Sequence, residues 1–252
     1  MVINFTYELI AFCTSLLGKQ VDGTLIHVRL YDFLESESTK KILFIGEFYR
    51  NNTHIYSAVM NGGTPFFPTG FKNGSYSITL NQRNSLNRTF TEQLANIGMI
   101  SYGHIQTIKL IRETLEACDD YQCAFNKLSN ESIITRGYFI IAGVNGDDAA
   151  VISRDRQGAA NVTFISEEHW YVVQTNDDHF DGICRERCVS AKANFELLGR
   201  EAMTADTAFN QVLMVSPNLN INSIYGVKMV PKTGVFEVQR ANGNYVPVDM
   251  HH

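Results

Sequence analysis

Cys13 is the residue in this 252-residue chain whose type and setting suggest covalent chemistry. The other four cysteines stand close together in sequence, Cys118 near Cys123 and Cys184 near Cys188. Two local bridges fit that spacing, although spacing alone does not fix connectivity. Cys13 is then the odd thiol, open to reaction in an oxidising compartment. The competing reading is five small buried hydrophobes. A thiol becomes a strong nucleophile through its neighbours, so what stands opposite Cys13 matters. Asp22-Gly23 separates the β-rich runs 14–18 and 24–30 and is a strong hairpin signal. A two-residue loop there pairs Val21 with Thr24 and, counting back, Cys13 with Asp32. Opposed side chains share a face at about 5 Å, so a thiol would meet a carboxylate. Strict alternation sends Arg29 to the other face. Geometry alone therefore favours Asp32 over Arg29 as a partner, against the alternative of an ordinary hairpin with an edge salt bridge. His54, His104, His169 and His179 show neither triad nor metal-ligand spacing, and no cysteine pair has zinc-ribbon spacing. No metal or cofactor is expected.

Elements must position this thiol. Apolar residues make up 44% and charged residues 19%, enough for a real core. Length alone allows one large domain or two small ones. The net charge of −5 argues against an electrostatic nucleic-acid binder. No apolar run is long enough to predict a membrane-spanning helix. Met1 to Glu8 lacks a basic leader pattern. Six Asn-x-Ser/Thr acceptors, at Asn4, Asn51, Asn73, Asn87, Asn130 and Asn161, nevertheless suggest an exported chain. Strand patterns continue over 41–49, 53–60 and 76–80, with 61–68 read as a loop. Helical periodicity occupies 90–110 and 111–128. Strands return at 133–143, 149–153, 162–165 and 170–174. Helices at 189–198 and 204–213 precede strands at 224–230 and 235–240. This order reads as α+β, with two sheets packed together and helices outside. Arg154 and Arg156 are expected in surface pairs around Asp155. Phe66, Phe67 and Phe71 are expected either to pack their loop or to line an acyl channel.

Several stretches carry a family resemblance. They are Phe12-Cys13-Thr14-Ser15, Gly23 through Arg29, Asp32-Phe33, Thr79-Leu80-Asn81-Gln82-Arg83, Val151 through Arg156, and Trp170 through Asp177. Together they resemble the acid ceramidase and N-acylethanolamine acid amidase family, cysteine N-terminal-nucleophile hydrolases related to choloylglycine hydrolases. The resemblance implies a four-layer αββα sandwich with two antiparallel sheets. It makes residues 1–12 the end of an upstream segment and 13–252 the catalytic domain, with self-cleavage between Phe12 and Cys13. It implies a catalytic set of Cys13, Arg29, Asp32, Asn176 and Arg187. Cys13 is the nucleophile, and Asp32 orients its freed amine. Arg29 lies near the thiolate, Asn176 donates to the oxyanion, and Arg187 is a second cation for which Arg185 competes. Gln82 stands where the family usually has glutamate, and Val28 and Leu30 replace an expected glycine and asparagine, changes that could reshape the pocket. The implied activity is hydrolysis of a fatty N-acyl amide, a ceramide or an N-acylethanolamine, through a Cys13 thioester. The upstream chain of the same precursor is the implied partner, with transient contact to a lipid surface and a lysosomal or secreted location. Two alternatives remain: a catalytically weak lipid-binding relative and a bile-salt-hydrolase-like amidase.

Overall fold

β1 (Ala11–Lys19) and β2 (Leu25–Phe33) form the hairpin that carries Cys13. Its loop holds three residues rather than two. Gln20 N donates to Thr24 O at 2.9 Å, and Gly23 N donates to Gln20 O at 3.0 Å. Gly23 has φ +80°, a left-handed conformation that suits glycine, and Asp22 Oδ1 accepts from Thr24 N at 2.8 Å. This is the three-residue hairpin in which a turn ends in a left-handed residue. The additional loop residue shifts the whole register: Cys13 faces Tyr31, and Phe12 faces Asp32. The expected Cys13–Asp32 pairing is thus corrected. A one-residue slip flips every side chain. Arg29 therefore joins Cys13 on one face, and Asp32 lies on the other.

The computed structural model describes residues 11–33, 36–65, 67–83, 103–241 and 248–249. The hairpin sits inside a five-stranded sheet in the order β10 (Tyr171–Gln174), β1, β2, β11 (Ser223–Val230), β12 (Val235–Arg240). The second sheet has eight strands. It begins with β13 (Val248–Asp249), followed by β3 (Leu43–Arg50), β4 (Thr53–Asn61), β5 (Thr69–Lys72) and β6 (Tyr76–Gln82). It continues through β7 (Gly137–Ala142) and β8 (Ala149–Arg154) to β9 (Ala159–Phe164). Neighbours are antiparallel except the short β13–β3 pair, which is parallel. β5 lies just past the expected loop, and a short helix α1 (Ser36–Lys41) precedes β3; both are too short to leave a periodicity signal.

Helices cover both outer faces. α2 (Thr107–Ala117) and α3 (Tyr121–Asn130) pack on the eight-stranded sheet. Ile108, Ile111 and Leu115 form the buried stripe of α2 at helical spacing. Gly70 of β5 lets Leu115 approach the sheet where a Cβ would collide. The helical periodicity over 111–128 is interrupted at 118–120, where Asp120 caps α3 by accepting from Cys123 N at 2.8 Å. Residues 90–102 of the other expected helix lie outside the described residues. α4 (Glu186–Leu198) and the helical run Ala205–Leu213 pack on the five-stranded sheet. The layers are therefore helix, sheet, sheet, helix, as the resemblance implies. Cys118–Cys123 and Cys184–Cys188 are disulfides, and Cys13 is free.

The space between the sheets has two halves. Leu17, Leu25, Tyr138, Ile140 and Val151 fill one with apolar side chains. The other is polar. Ser15 Oγ donates to Asn81 Oδ1 at 2.9 Å, and His27 lies against Ser77 Oγ at 2.9 Å and Thr79 Oγ1 at 3.0 Å. Ser15, His27, Ser77, Thr79 and Asn81 thus find partners across the sheet interface, which is what makes their burial tolerable. Phe67 and Phe71 are buried core residues, the first tilted against Tyr56 and the second stacked on Phe236; Phe66 lies outside the described residues. Asn51, Asn73 and Asn130 are exposed and Asn161 is half-buried, while Asn4 and Asn87 lie outside the described residues.

Candidate active site

The polar half of the interior ends at Cys13, which is completely buried. The corrected register places Arg29 diagonally across from it on the same face. Arg29 Nη2 donates to Cys13 Sγ at 3.0 Å and to Leu80 O at 2.6 Å. Its Nη1 donates to Pro68 O and Thr69 Oγ1, each at 2.6 Å. The guanidinium also lies 5.0 Å from the centre of the Tyr31 ring. A planar fork gripped at several points has little freedom to leave the thiol. Tyr225 OH and Thr69 Oγ1 lie 2.8 Å apart and extend the network to β11.

The nitrogen of Cys13 has a different partner. β10 pairs with β1 only as far as Ser15–Gln174. Past that point β1 has lost its neighbour, and the chain after β10 supplies a side chain instead. Cys13 N donates to Asn176 Oδ1 at 3.1 Å. Arg187 Nη2 donates to the same oxygen at 2.8 Å, and Asn176 Nδ2 donates to Gln82 O at 2.8 Å. Three partners thus fix the orientation of this carboxamide. Its N–H group faces Gln82, not the thiol. Gln82 itself is buried, and its Oε1 has no hydrogen-bond partner.

Asp32 lies on the outer face of the hairpin, 2% exposed. Arg187 Nη1 is 3.3 Å from its Oδ2 and donates to Thr14 Oγ1 at 3.1 Å. Asn220 Nδ2 donates to Asp32 Oδ2 at 3.1 Å, and Ser223 Oγ donates to Oδ1 at 2.7 Å. Asp32 therefore reaches Cys13 N through Arg187 and Asn176. Arg187 comes from the first turn of α4, beside the Cys184–Cys188 bridge. Arg185 points outward and pairs with Asp177 at 3.5 Å, so of the two competing arginines only Arg187 joins the cluster. Val28 and Leu30 pack on the outer face with Phe195 and Phe209, away from the thiol. Thr69, Tyr225, Asn220 and Ser223 carried no signal in the sequence, because only the fold brings them to Arg29 and Asp32.

Burial pushes the Cys13 thiol up from its ordinary value; Arg29 and Arg187 oppose this, and Asp32 adds to it. Burial likewise pushes the Asp32 carboxyl up, against Arg187, Ser223 and Asn220. A cleft of about 470 Å³ opens beside the cluster, with Phe12, Asn176, Arg187 and Asn220 among its walls. Phe12 lines this cleft and directly precedes Cys13 on β1.

No family model matches the chain. Human acid ceramidase is 31% identical over 252 residues, covering 93% of this chain and 63% of that protein. The chain thus spans less than two thirds of that relative's length. The solved structure of a Caenorhabditis elegans N-acylethanolamine-hydrolyzing acid amidase ortholog superposes with a TM-score of 0.80 at 29% identity. That match covers 87% of this chain and 93% of the other. A conjugated bile acid hydrolase mutant from Clostridium perfringens shares the fold, with a TM-score of 0.54 at 11% identity, covering 95% of this chain and 99% of that one. By sequence and by fold the chain is a homologue of the acid ceramidases and N-acylethanolamine-hydrolyzing acid amidases.

Proposed function

We propose that this protein hydrolyses a fatty N-acyl amide through a thioester on Cys13, after cleavage of its own Phe12–Cys13 bond. The observation that carries this reading is the double anchoring of one residue: Arg29 on the sulfur of Cys13 and Asn176 on its nitrogen. While that nitrogen belongs to a peptide bond, it cannot act as a base. Cleavage would begin with attack of the thiol on the Phe12 carbonyl and end with a free amine on Cys13. Thiol and amine then have ordinary pKa values of about 8.5 and about 8, so a proton can pass from sulfur to nitrogen.

The reaction then needs few parts. Arg29 holds the thiolate, and Asn176 Oδ1 accepts from the protonated amine. Asp32 balances the charge of Arg187 and of that amine. The thiolate attacks the amide carbonyl, and the amine gives its proton to the leaving nitrogen, serving as base and then acid. Water, deprotonated by the same amine, attacks the thioester and frees the fatty acid and the thiol. In the intact chain Asn176 supports the Cys13 nitrogen. Donation to an oxyanion requires its amide group to leave Gln82 O after cleavage.

Acid ceramidase and N-acylethanolamine-hydrolyzing acid amidase are the names of the relatives, and they suggest ceramides and N-acylethanolamines as the substrate class. The upstream segment stays with the catalytic portion as its partner. The two disulfides and the exposed Asn-x-Ser/Thr sites support a lysosomal or secreted location. Incubation at mildly acid pH followed by intact mass tests the reading. The expected products are a fragment beginning at Cys13 and release of fatty acid from a panel of matched ceramides and ethanolamides. A chain that stays whole at every pH and binds the lipids without turnover is a binding protein, and the amidase reading fails.

A further inference from the structure

β11 pairs with β2 in two registers. Tyr225 faces Tyr31, but the next described pair is Ser223 with Asp32, with a bulge between them. Without the bulge, Ile224 would stand opposite the carboxylate. The inserted residue instead turns Ile224 into the core and brings a hydroxyl to Asp32. Bulges beside active sites commonly re-aim a side chain in this way.

The direction of that hydroxyl is also fixed. Ser223 Oγ accepts from Asn220 N at 3.0 Å, so its own proton is left for Asp32 Oδ1, 2.7 Å away. The loop ahead of β11 is held as one unit. Ser223 N donates to Asn220 O, Asn222 N to Asn220 Oδ1, and Phe33 N to Asn222 O. Asn220 Nδ2 then reaches Asp32 Oδ2 while bonding Asn218 O. A completely buried serine with its proton aimed at a buried carboxylate favours the charged form.

We infer that Ser223 is a positioning residue of the amidase reaction, delivered by the β11 bulge, which keeps Asp32 charged and aimed at the Arg187–Asn176 chain. This rests on the proposed amidase reading. Arg187 from α4 is the charged group that faces Asp32, while Arg29 of β2 and Cys13 of β1 act on it electrostatically from the opposite face of the hairpin. The 220–223 loop adds neutral donors only. Burial pushes the Asp32 carboxyl up, and the loop's two donors oppose it, so their loss raises the pH at which Asp32 ionises.

The test compares wild type, Ser223→Ala, Ser223→Thr and Ser15→Ala, each checked for the cleaved Cys13 terminus. Ser15→Ala removes another buried hydroxyl, one that bonds Thr79 and Asn81. Two quantities are read: the acid limb of kcat against pH on a fatty amide, and the carboxyl titration of Asp32 by 13C NMR, assigned with Asp32→Asn. From the usual strength of a hydrogen bond to a charged group, Ser223→Ala is expected to move both upward by about one to two pH units. Ser223→Thr should restore both, and Ser15→Ala should move neither. If Ser223→Ala is processed too slowly to assay, the pH dependence of Phe12–Cys13 cleavage is expected to show the same displacement. An active Ser223→Ala enzyme whose acid limb stays in place overturns the inference and leaves the amidase reading intact. A wild-type chain without amidase activity fails the amidase reading, and this role for Ser223 with it.

Discussion

Among the described residues Arg29 and Arg154 are the completely buried arginines, and they serve different regions of the molecule. Arg29 lies between the sheets and donates to a thiol, a hydroxyl and two carbonyls. Arg154 lies at the end of β8 and donates to Leu128 O and Glu131 O at the C-terminal end of α3. Burial pulls Arg154 down to about 10, against Asp155 and Glu131. Both bury a guanidinium, and both satisfy main-chain carbonyls. Arg154 ties off a helix end, where carbonyls lack partners of their own. One acceptor of Arg29 can change charge and form a covalent bond. Burial and hydrogen bonding of an arginine thus say little about function; the chemistry of its acceptor does.

The largest expected effect lies at that acceptor. Cys13→Ala should abolish both Phe12–Cys13 cleavage and fatty-acid release while thermal unfolding stays cooperative. Retained turnover would remove the nucleophile, and the contrast between the two arginines with it. Next comes Arg29 itself. Arg29→Lys keeps a charge but loses the planar fork. Loss of a preorganised donor to developing charge costs about 100- to 1,000-fold in kcat. A drop of that size is expected here, read as kcat of cleaved enzyme at fixed pH. The corresponding change at Arg154 reads in the other currency. Arg154→Met leaves two helix-end carbonyls unpaired, about 1–3 kcal/mol each. A fall in Tm of several degrees is expected, at about 2–4 °C per kcal/mol for a chain of this size, with kcat/KM within about threefold of wild type. An Arg154 variant that loses activity but not Tm would break the comparison.

How far these sites were legible follows from which forces set them. The four layers could be read, because alternating and helical periodicities record which face is buried. Asp22-Gly23 announced the hairpin correctly but not its register. Loop length decides register, and Gly23 fits a three-residue loop as well as a two-residue one. That single residue moved Asp32 away from the thiol and brought Arg29 to it. Here the motif resemblance put Arg29 beside the thiol, where it lies, while the counted geometry put Asp32 there. Arg187 over Arg185 depended on the start of α4, which a 13-residue helix with mixed faces does not announce. Arg154 was read as a surface residue because an Arg-Asp-Arg run looks solvated, yet its strand ends beneath α3. Ser223 and Asn220 could not be found at all, since a bulge leaves no periodic trace.

The smallest expected effect tests how strictly the polar layer around Arg29 excludes charge. His27 is completely buried in it, and burial together with nearby Arg29 lowers its pKa to about 3. In the unfolded chain histidine titrates near about 6.5. Between these two values the unfolded state binds a proton that the folded state refuses. Stability therefore falls as pH drops below about 6.5, and the loss continues until His27 itself titrates. At pH about 4.5 the two-unit gap amounts to about 2–3 kcal/mol. His27→Gln keeps a donor and an acceptor for Ser77 and Thr79 but cannot take up the proton. Relative to wild type, the variant should lose less Tm between pH 7 and pH 4.5, by about 4–12 °C. Equal acid-induced losses in both proteins would mean that His27 is charged in the folded state, and that the layer holding Arg29 accepts a second cation.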